Sequence, residues 1–252
     1  MFASFDLWAS LPLFAVIFLT AGVIKGTLGI GLPTVAVGLM SQFFPPHLAI
    51  ALVVFPLLTT NLWQALRERV GLDTVKTYWR LMAALAGSLW ITTFFVVQTS
   101  PDVLLGVIGF VIAVFAITSL VKSTPELPER FDRLGQIVAG TTAGILGGLT
   151  SIWGPPLVTY LLARRVERDE FVKAAGLFLF VGGLPLMVGF WQAGLFRGET
   201  AQVSAVMVIP AVLGFTIGEA MRRRMSAETF RTALLWMFLL MGLNLLRRAF
   251  FG

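Results

Sequence analysis

Long apolar segments separated by short polar loops dominate the chain. Windows of about 20 apolar residues, the length at which a helix crosses the hydrocarbon of a bilayer, fall near 48–66, 78–97, 103–121, 171–192, 200–219 and 229–246. Two further apolar stretches, 8–44 and 134–163, do not fit one helix each. The pattern predicts an all-α, polytopic membrane protein.

Glycine and proline interrupt both of these stretches near the middle, at 26–33 and at 147–156. Proline cannot continue a helix interior but suits its first turn. Each stretch is therefore predicted to contain an incoming helix, a break and an outgoing helix that begins near Pro33 or Pro155. The outgoing pieces, 33–44 and 155–163, are too short to cross a bilayer.

The basic residues predict the orientation of the segments. Fifteen of the 19 Lys and Arg residues lie near four loops: Arg67, Arg69, Lys76 and Arg80; Lys122, Arg130 and Arg133; Arg164, Arg165, Arg168 and Lys173; Arg222, Arg223, Arg224 and Arg231. An excess of Lys and Arg marks cytoplasmic loops. The stretch 134–163 then starts and ends on the cytoplasmic side, whereas 8–44 starts and ends outside. Arg247 and Arg248 fall on the outer side, against the rule, after a final helix that is predicted to be slightly short.

A shift of 122 residues brings the two broken stretches into register, with Gly26 on Gly148 and Pro33 on Pro155. Each half, 1–122 and 123–252, then holds a broken, re-entrant helix pair followed by three transmembrane helices. Because five segments per half reverse the orientation, the two halves are predicted to be inverted repeats within one membrane domain. A chance match among glycine-rich apolar sequences is the alternative.

Composition narrows the class of protein. The chain has 252 residues, is 57% hydrophobic and only 13% charged, and its mean hydropathy is +0.88. A soluble fold cannot hide so much apolar surface, so the lipid bilayer is a predicted partner. The net charge of +6 comes from short basic clusters between apolar runs, so nucleic acid is not predicted. With no Cys and one His, His47 in an outer turn, we predict neither a metal site nor a cofactor.

The glycine-rich stretches resemble the TauE/SafE-type sulfite exporters, also called TSUP permeases. The residues that carry the resemblance are Gly22, Gly26, Gly29, Gly31 and Pro33 in the first half, and Gly144, Gly147, Gly148, Gly154, Pro155, Pro156, Leu157 and Tyr160 in the second. The resemblance implies a multi-pass permease of the bacterial cytoplasmic (inner) membrane for sulfite, sulfonates or related sulfur compounds. Pro33-Thr34 departs from the Pro155-Pro156 pattern, which leaves the shape of the first break open.

Helix starts carry unpaired N–H groups and a partial positive charge. Two such starts, entering from opposite faces, are predicted to form an anion site near the bilayer midplane. The predicted substrate-binding residues are Lys25, Gly26, Thr27, Gly29, Gly31, Pro33, Asn61, Gly148, Thr150, Ser151, Trp153, Gly154 and Pro155.

Structural explanations compete at each polar position. Lys25 is the one ionisable group well inside an apolar run, but a lysine can also snorkel to the membrane surface. Hydroxyls such as that of Thr150 often bond to their own helix backbone. Asn61, one turn from Gln64, and Trp153 could serve helix packing instead.

The predicted function is export of a small sulfur-containing anion. No Asp or Glu lies mid-membrane, and Glu219 is expected to pair with Arg222 or Arg223, so a carboxylate proton relay is not predicted. One charge moved through 100 mV gains about 2.3 kcal/mol, roughly fifty-fold in concentration, which drives anions outward. Alternatives are proton- or sodium-coupled sulfonate uptake, an accessory subunit, and a Ser–Lys enzyme that uses Lys25 with Ser151. A homodimer is left open.

Overall fold

The computed structural model describes residues 6–68, 70–120, 125–222 and 227–251, and these residues form eleven α-helices and no β-strand. The helices are α1 Leu11–Leu28, α2 Leu32–Phe43, α3 Pro46–Leu52, α4 Val54–Arg67, α5 Leu72–Val96, α6 Pro101–Leu120, α7 Asp132–Thr150, α8 Gly154–Ala163, α9 Arg168–Gln192, α10 Glu199–Arg222 and α11 Ala227–Phe251. A single 3-10 turn, Glu129–Phe131, precedes α7.

Seven helical segments within the described ranges are long and apolar enough to cross a bilayer. The predicted all-α, polytopic membrane class is therefore confirmed. One expectation was wrong: the final helix is not short, because α11 runs over 25 residues, Ala227–Phe251.

The second of these spans is formed by α3 and α4, which meet at Val53. The interruption follows from Pro56, which has no N–H to donate to the carbonyl of Leu52 four residues earlier. That carbonyl accepts a hydrogen bond from Ser204 Oγ on α10 at 2.8 Å instead. The same hydroxyl oxygen accepts from the Phe55 N–H at 3.2 Å. A proline defect in one helix is thus satisfied by a hydroxyl from another.

Both long stretches are interrupted, as predicted. In the first, α1 ends at Gly29, whose φ of 83° is left-handed and whose N–H bonds to the Lys25 carbonyl at 2.7 Å. In the second, α7 ends at Ser151, which adopts a φ of 58° although it has a side chain. Ser151 Oγ donates to the Ile50 carbonyl at 3.0 Å, which holds this conformation.

Close helix packing surrounds the incoming helix of each broken pair. On α1, a Cβ added to Gly22 would lie 2.2 Å from the Ala211 carbonyl oxygen of α10. On α7, a Cβ added to Gly144 would lie 2.7 Å from the Leu85 carbonyl oxygen of α5. Such distances exclude any side chain, so the two backbones touch directly, as small residues permit in membranes.

The helix partners correspond between the two halves. α1 packs along α10 and α7 along α5, while α4 contacts α9, and α6 contacts α11. If the two halves are interchanged, the α1–α10 contact becomes the α7–α5 contact, whereas the α4–α9 and α6–α11 contacts map onto themselves. This is the pattern expected of inverted repeats. The division into repeats 1–122 and 123–252 stays a prediction.

The structure also accounts for the arginines that break the charge rule. Arg248 on α11 donates to the carbonyls of Ser41 and Gln42 at 2.9 and 2.7 Å, at the end of α2. The last carbonyls of a helix lack partners within the helix. Arg248 therefore caps the outgoing helix of the first break, and Arg247 bonds to Asn244.

Gly22→Ala is expected to lower the unfolding free energy by about 1–3 kcal/mol, the usual cost of overpacking, because the added methyl group meets the α10 backbone. The measurement is the thermal midpoint of the detergent-purified protein. Gly87→Ala on α5 is the matched control, since a Cβ there would meet nothing within 4 Å. Equal midpoints for the two variants would contradict the direct backbone contact.

Candidate functional site

A buried lysine and a buried asparagine form the most polar contact inside the bundle. Lys25, near the end of α1, is 1% exposed, and Asn61 on α4 is fully buried. The Lys25 ammonium donates a hydrogen bond to Asn61 Oδ1 and lies 5.9 Å from the centre of the Phe215 ring on α10. The lysine therefore does not snorkel to the surface but reaches across to a neighbouring helix.

Several polar atoms beside this contact have no partner among the described residues. Asn61 Nδ2 is buried and donates to nothing, and Gln64 Oε1, one turn along α4, accepts nothing. Gln64 Nε2 makes only a long contact, 3.5 Å, with the Val172 carbonyl of α9. Buried polar groups are almost always hydrogen-bonded, so these unpartnered atoms make the Lys25–Asn61 contact the candidate binding site.

Lys25 has no carboxylate partner within the described ranges. The ion pairs there join Arg67 to Glu219 and Arg164 to Asp132. An amide oxygen and an aromatic face stabilise an ammonium group but do not neutralise it. The site is therefore a buried amine that has no counter-charge in the described residues and lies beside a free hydrogen-bond donor, Asn61 Nδ2.

The corresponding place in the second half is filled by an aromatic ring. The positions 122 residues after Lys25 and Asn61 are both glycines, Gly147 and Gly183. Trp153 is fully buried there, and a Cβ added to Gly147 would lie 2.9 Å from its Cβ. A Cβ added to Gly182 would lie 2.8 Å from its Nε1, which has no hydrogen-bond partner within the described ranges. Trp153 thus fills space in this half, and its role in substrate binding stays a prediction.

The three hydroxyls predicted to bind substrate all donate to backbone carbonyls. Thr27 Oγ1 donates to Val23 at 2.8 Å, and Thr150 Oγ1 donates to Leu146 at 2.6 Å. Thr150 also accepts from the Ile152 N–H at 3.1 Å, and so stabilises the second break. Together with the Ser151 bond to Ile50, these contacts match the alternative that the sequence left open, in which the hydroxyls bond to the helix backbone.

Two predicted glycines lie in helix interfaces. A Cβ on Gly26 would lie 2.1 Å from the Phe215 carbonyl oxygen of α10, and one on Gly148 would lie 2.8 Å from the Leu89 carbonyl oxygen of α5. Their Cα atoms therefore face neighbouring backbone. Gly26 still contributes to the site, because its close contact fixes the height of Lys25 against α10.

The two breaks have different neighbours. At the first, Ile30 and Gly31 line an apolar cavity of about 220 Å³ together with residues of α6, α8, α9 and α11, and Pro33 is buried in the first turn of α2. At the second, Ile152 and Trp153 lie behind Ser151, which bonds to α3, while Pro155 lines a groove of about 570 Å³ between α6, α7 and α8. Gly154, the first residue of α8, has open space at its Cα.

The breaks also differ in height along α4. The first break follows Lys25, which contacts Asn61 of α4. At the second break, Trp153 lies beside Gly182, and the next residue, Gly183, meets Leu57 and Leu58, about one turn earlier on α4. Of the predicted residues, the structure brings Lys25 and Asn61 into direct contact. We therefore centre the candidate site on this pair and not on a shared meeting point of the two helix starts.

Sequence reasoning missed the link between α4 and α10. Glu219 pairs with Arg67 of α4. The predicted pairing of Glu219 with Arg222 or Arg223 falls outside the described residues, because neither the Arg222 side chain nor Arg223 is described. The signal that could have found this part of the protein is the spacing of Asn61, Gln64 and Arg67, three residues apart, which places three hydrogen-bonding side chains in the last two turns of α4.

His47, expected in an outer turn, lies in the first turn of α3. It is 4% exposed at the start of α3, and its Nε2 lies 3.1 Å from the Val96 carbonyl oxygen. Among the described residues, no group of three His, Cys, Asp or Glu side chains could hold a metal ion.

Seven apolar spans, two broken helices and a buried, un-neutralised cation together are typical of a polytopic membrane transporter. The model of the sulfite exporter TauE/SafE family matches residues 13–245. The chain belongs to this family, whose members are membrane permeases and lie, in bacteria, in the inner membrane. No match was found among curated proteins or among solved structures.

Gly182→Ala is expected to lower the thermal midpoint in detergent, because the added methyl group meets the indole of Trp153. Trp153→Phe in the same chain should restore much of the loss, since the smaller ring leaves room for the methyl group. The difference between single and double variants measures the coupling of the two residues. Additive effects would contradict the role of Trp153 as the group that fills this space.

Proposed function

We propose that this permease exports a small sulfur-containing anion, such as sulfite or an organosulfonate, which binds between α1 and α4 at Lys25 and Asn61. The observation that carries the proposal is the buried ammonium group without a carboxylate partner in the described residues. Membership of a sulfite exporter family supports the class of substrate.

An anion at this place offsets a large cost. An ionised lysine buried inside a membrane bundle without a counter-charge is costly, because an unpaired buried charge is strongly destabilising. An oxyanion beside Lys25 supplies the missing negative charge and accepts hydrogen bonds from the ammonium group and from Asn61 Nδ2. Charge-assisted bonds of this kind are about twice as strong as neutral ones.

The membrane potential gives the direction. An interior-negative potential of 100 mV adds about 2.3 kcal/mol for each anionic charge that leaves, so export needs no coupled ion. Uptake against that potential requires a driving ion, and within the described ranges no carboxylate forms an ion pair with Lys25. This favours export over the coupled uptake of a sulfonate.

Both site residues are enclosed, so substrate reaches them only when helices move. The segments suited to movement are α2 and α8, which are 12 and 10 residues long and join their neighbours through the breaks. Short helices that end inside a membrane protein can tilt without moving a whole span. We therefore regard the breaks as hinges of the transport cycle.

Lys25→Met is expected to abolish potential-driven efflux of sulfite and of methanesulfonate from proteoliposomes, because the variant has no charge to hold the anion. The fold should persist, since removing an unpaired buried charge relieves its desolvation cost. Lys76→Met, at an exposed lysine of α5, is the matched control and should transport normally. Wild-type efflux from Lys25→Met would remove the site from the proposal; no anion efflux from the wild-type protein would reject the function.

Asn61→Asp tests the same site by adding the missing charge. An aspartate beside Lys25 would form an internal ion pair that competes with the substrate, so efflux should fall by tenfold or more while the thermal midpoint is kept or raised. Asn61→Leu separates the two effects, because it removes the amide without supplying a charge. Efflux of Asn61→Asp equal to that of the wild type would contradict binding at Lys25.

A further inference from the structure

A second charged contact lies beyond the proposed site, toward the basic end of α4. Arg67, the last residue of α4, pairs with Glu219 of α10. The side chains are 50% and 25% exposed, so the pair lies at the edge of the bundle. The Lys and Arg distribution predicts that this edge faces the cytoplasm.

The pair and the buried lysine are connected through two helices. On α4, Asn61, Gln64 and Arg67 follow one another at three-residue spacing, and the rise from the first to the last is about 9 Å. On α10, the Glu219 N–H group would lie 2.8 Å from a Cβ on Gly26, the residue next to Lys25. The ion pair therefore lies directly above the Lys25–Asn61 contact.

Polar atoms fill the interval between the two charges. Gln64 is 4% exposed and its Oε1 has no partner, and Asn61 Nδ2, also buried, has none. Asn61 Nδ2 is thus a free donor between Arg67 and the buried ammonium group, whereas Gln64 faces α9 and its free atom is an acceptor. An oxyanion that leaves Arg67 can therefore be received by Asn61 Nδ2 and Lys25.

The ion pair itself is easily exchanged. Exposed pairs of this kind contribute little to stability because water screens them. Arginine presents a planar set of donors that fits carboxylate and other oxyanions alike. An incoming sulfonate or sulfite can therefore take the place of the Glu219 carboxylate on Arg67 at small cost.

We propose that Arg67 is a recruiting subsite for the substrate anion on the cytoplasmic side, and that the Glu219 carboxylate occupies it until the anion arrives. The inference rests on the proposed function, because Arg67 delivers the anion to Lys25. Glu219 acts as an internal competitor, so it sets the anion concentration at which the subsite fills. Arg67 affects loading from one side of the membrane only.

The two sides are separated by measuring uptake of radiolabelled sulfite into inside-out and right-side-out membrane vesicles that contain the full-length protein. Arg67→Gln should raise the KM from the cytoplasmic face severalfold, roughly fivefold for the loss of one screened charge contact, with little change in the maximal rate. The KM from the outer face should not change. Arg133→Gln, at an exposed arginine of α7, is the matched control.

Glu219→Gln provides the opposite change. Removing the competing carboxylate should lower the cytoplasmic-face KM, also severalfold, whereas a purely structural ion pair predicts that both variants lower the thermal midpoint and leave the KM unchanged. Equal KM values for the two variants and the wild type, or equal changes from both faces, would overturn the subsite.

The outcomes also separate this inference from the proposed function. If the Lys25→Met variant has lost transport and Arg67→Gln has an unchanged KM, the buried site stands and the recruiting subsite falls. If wild-type vesicles take up no sulfite beyond vesicles without the protein, the proposed function falls first. Purified Arg67→Gln with a wild-type thermal midpoint excludes misfolding as the cause of a raised KM.

Discussion

Hydrocarbon offers no hydrogen bonds to a broken backbone, and this constraint shapes the whole structure. Unwound segments inside a membrane persist only where protein satisfies their polar groups. The first break is closed by the Gly29 N–H on the Lys25 carbonyl, and the second by Ser151 on Ile50. Even the lesser interruption before Pro56 is satisfied, by a hydroxyl from α10. Each break is therefore held by a specific partner and is not a random kink.

The position of the first break also depends on the close packing of α1 against α10. Gly22 and Gly26 allow the two backbones to touch, and this contact fixes where the following turn of α1 ends. Lys25 is thereby held at a height from which its side chain reaches Asn61 of α4. The contact of Gly26 with α10 and the contact of Lys25 with Asn61 are thus parts of one arrangement, although these adjacent residues face different helices.

The two halves use similar breaks for different purposes. In the first half, the space beside the incoming helix holds a charge and two amides. In the second half, Gly147 and Gly182 leave room that Trp153 fills, while Gly183, the counterpart of Asn61, meets Leu57 and Leu58. The polar contact of the first half therefore has no polar counterpart at the matching positions of the second half, and this supports the proposal of one anion site per chain. The Arg67–Glu219 pair lies on the same side as that site.

The sequence by itself determined the helical membrane class, the bounds of the spans to within a few residues, and both breaks. Hydrophobicity, glycine and proline are local signals, and in lipid the backbone leaves only a helix as their result. Only the tertiary structure decided which polar residues meet. Lys25 and Asn61 are 36 positions apart, and Arg67 and Glu219 are 152 apart, so their contact depends on which helices pack together and at what height. It also assigned Thr27, Thr150 and Ser151 to backbone carbonyls, because a hydroxyl bonds whichever acceptor packing brings within reach.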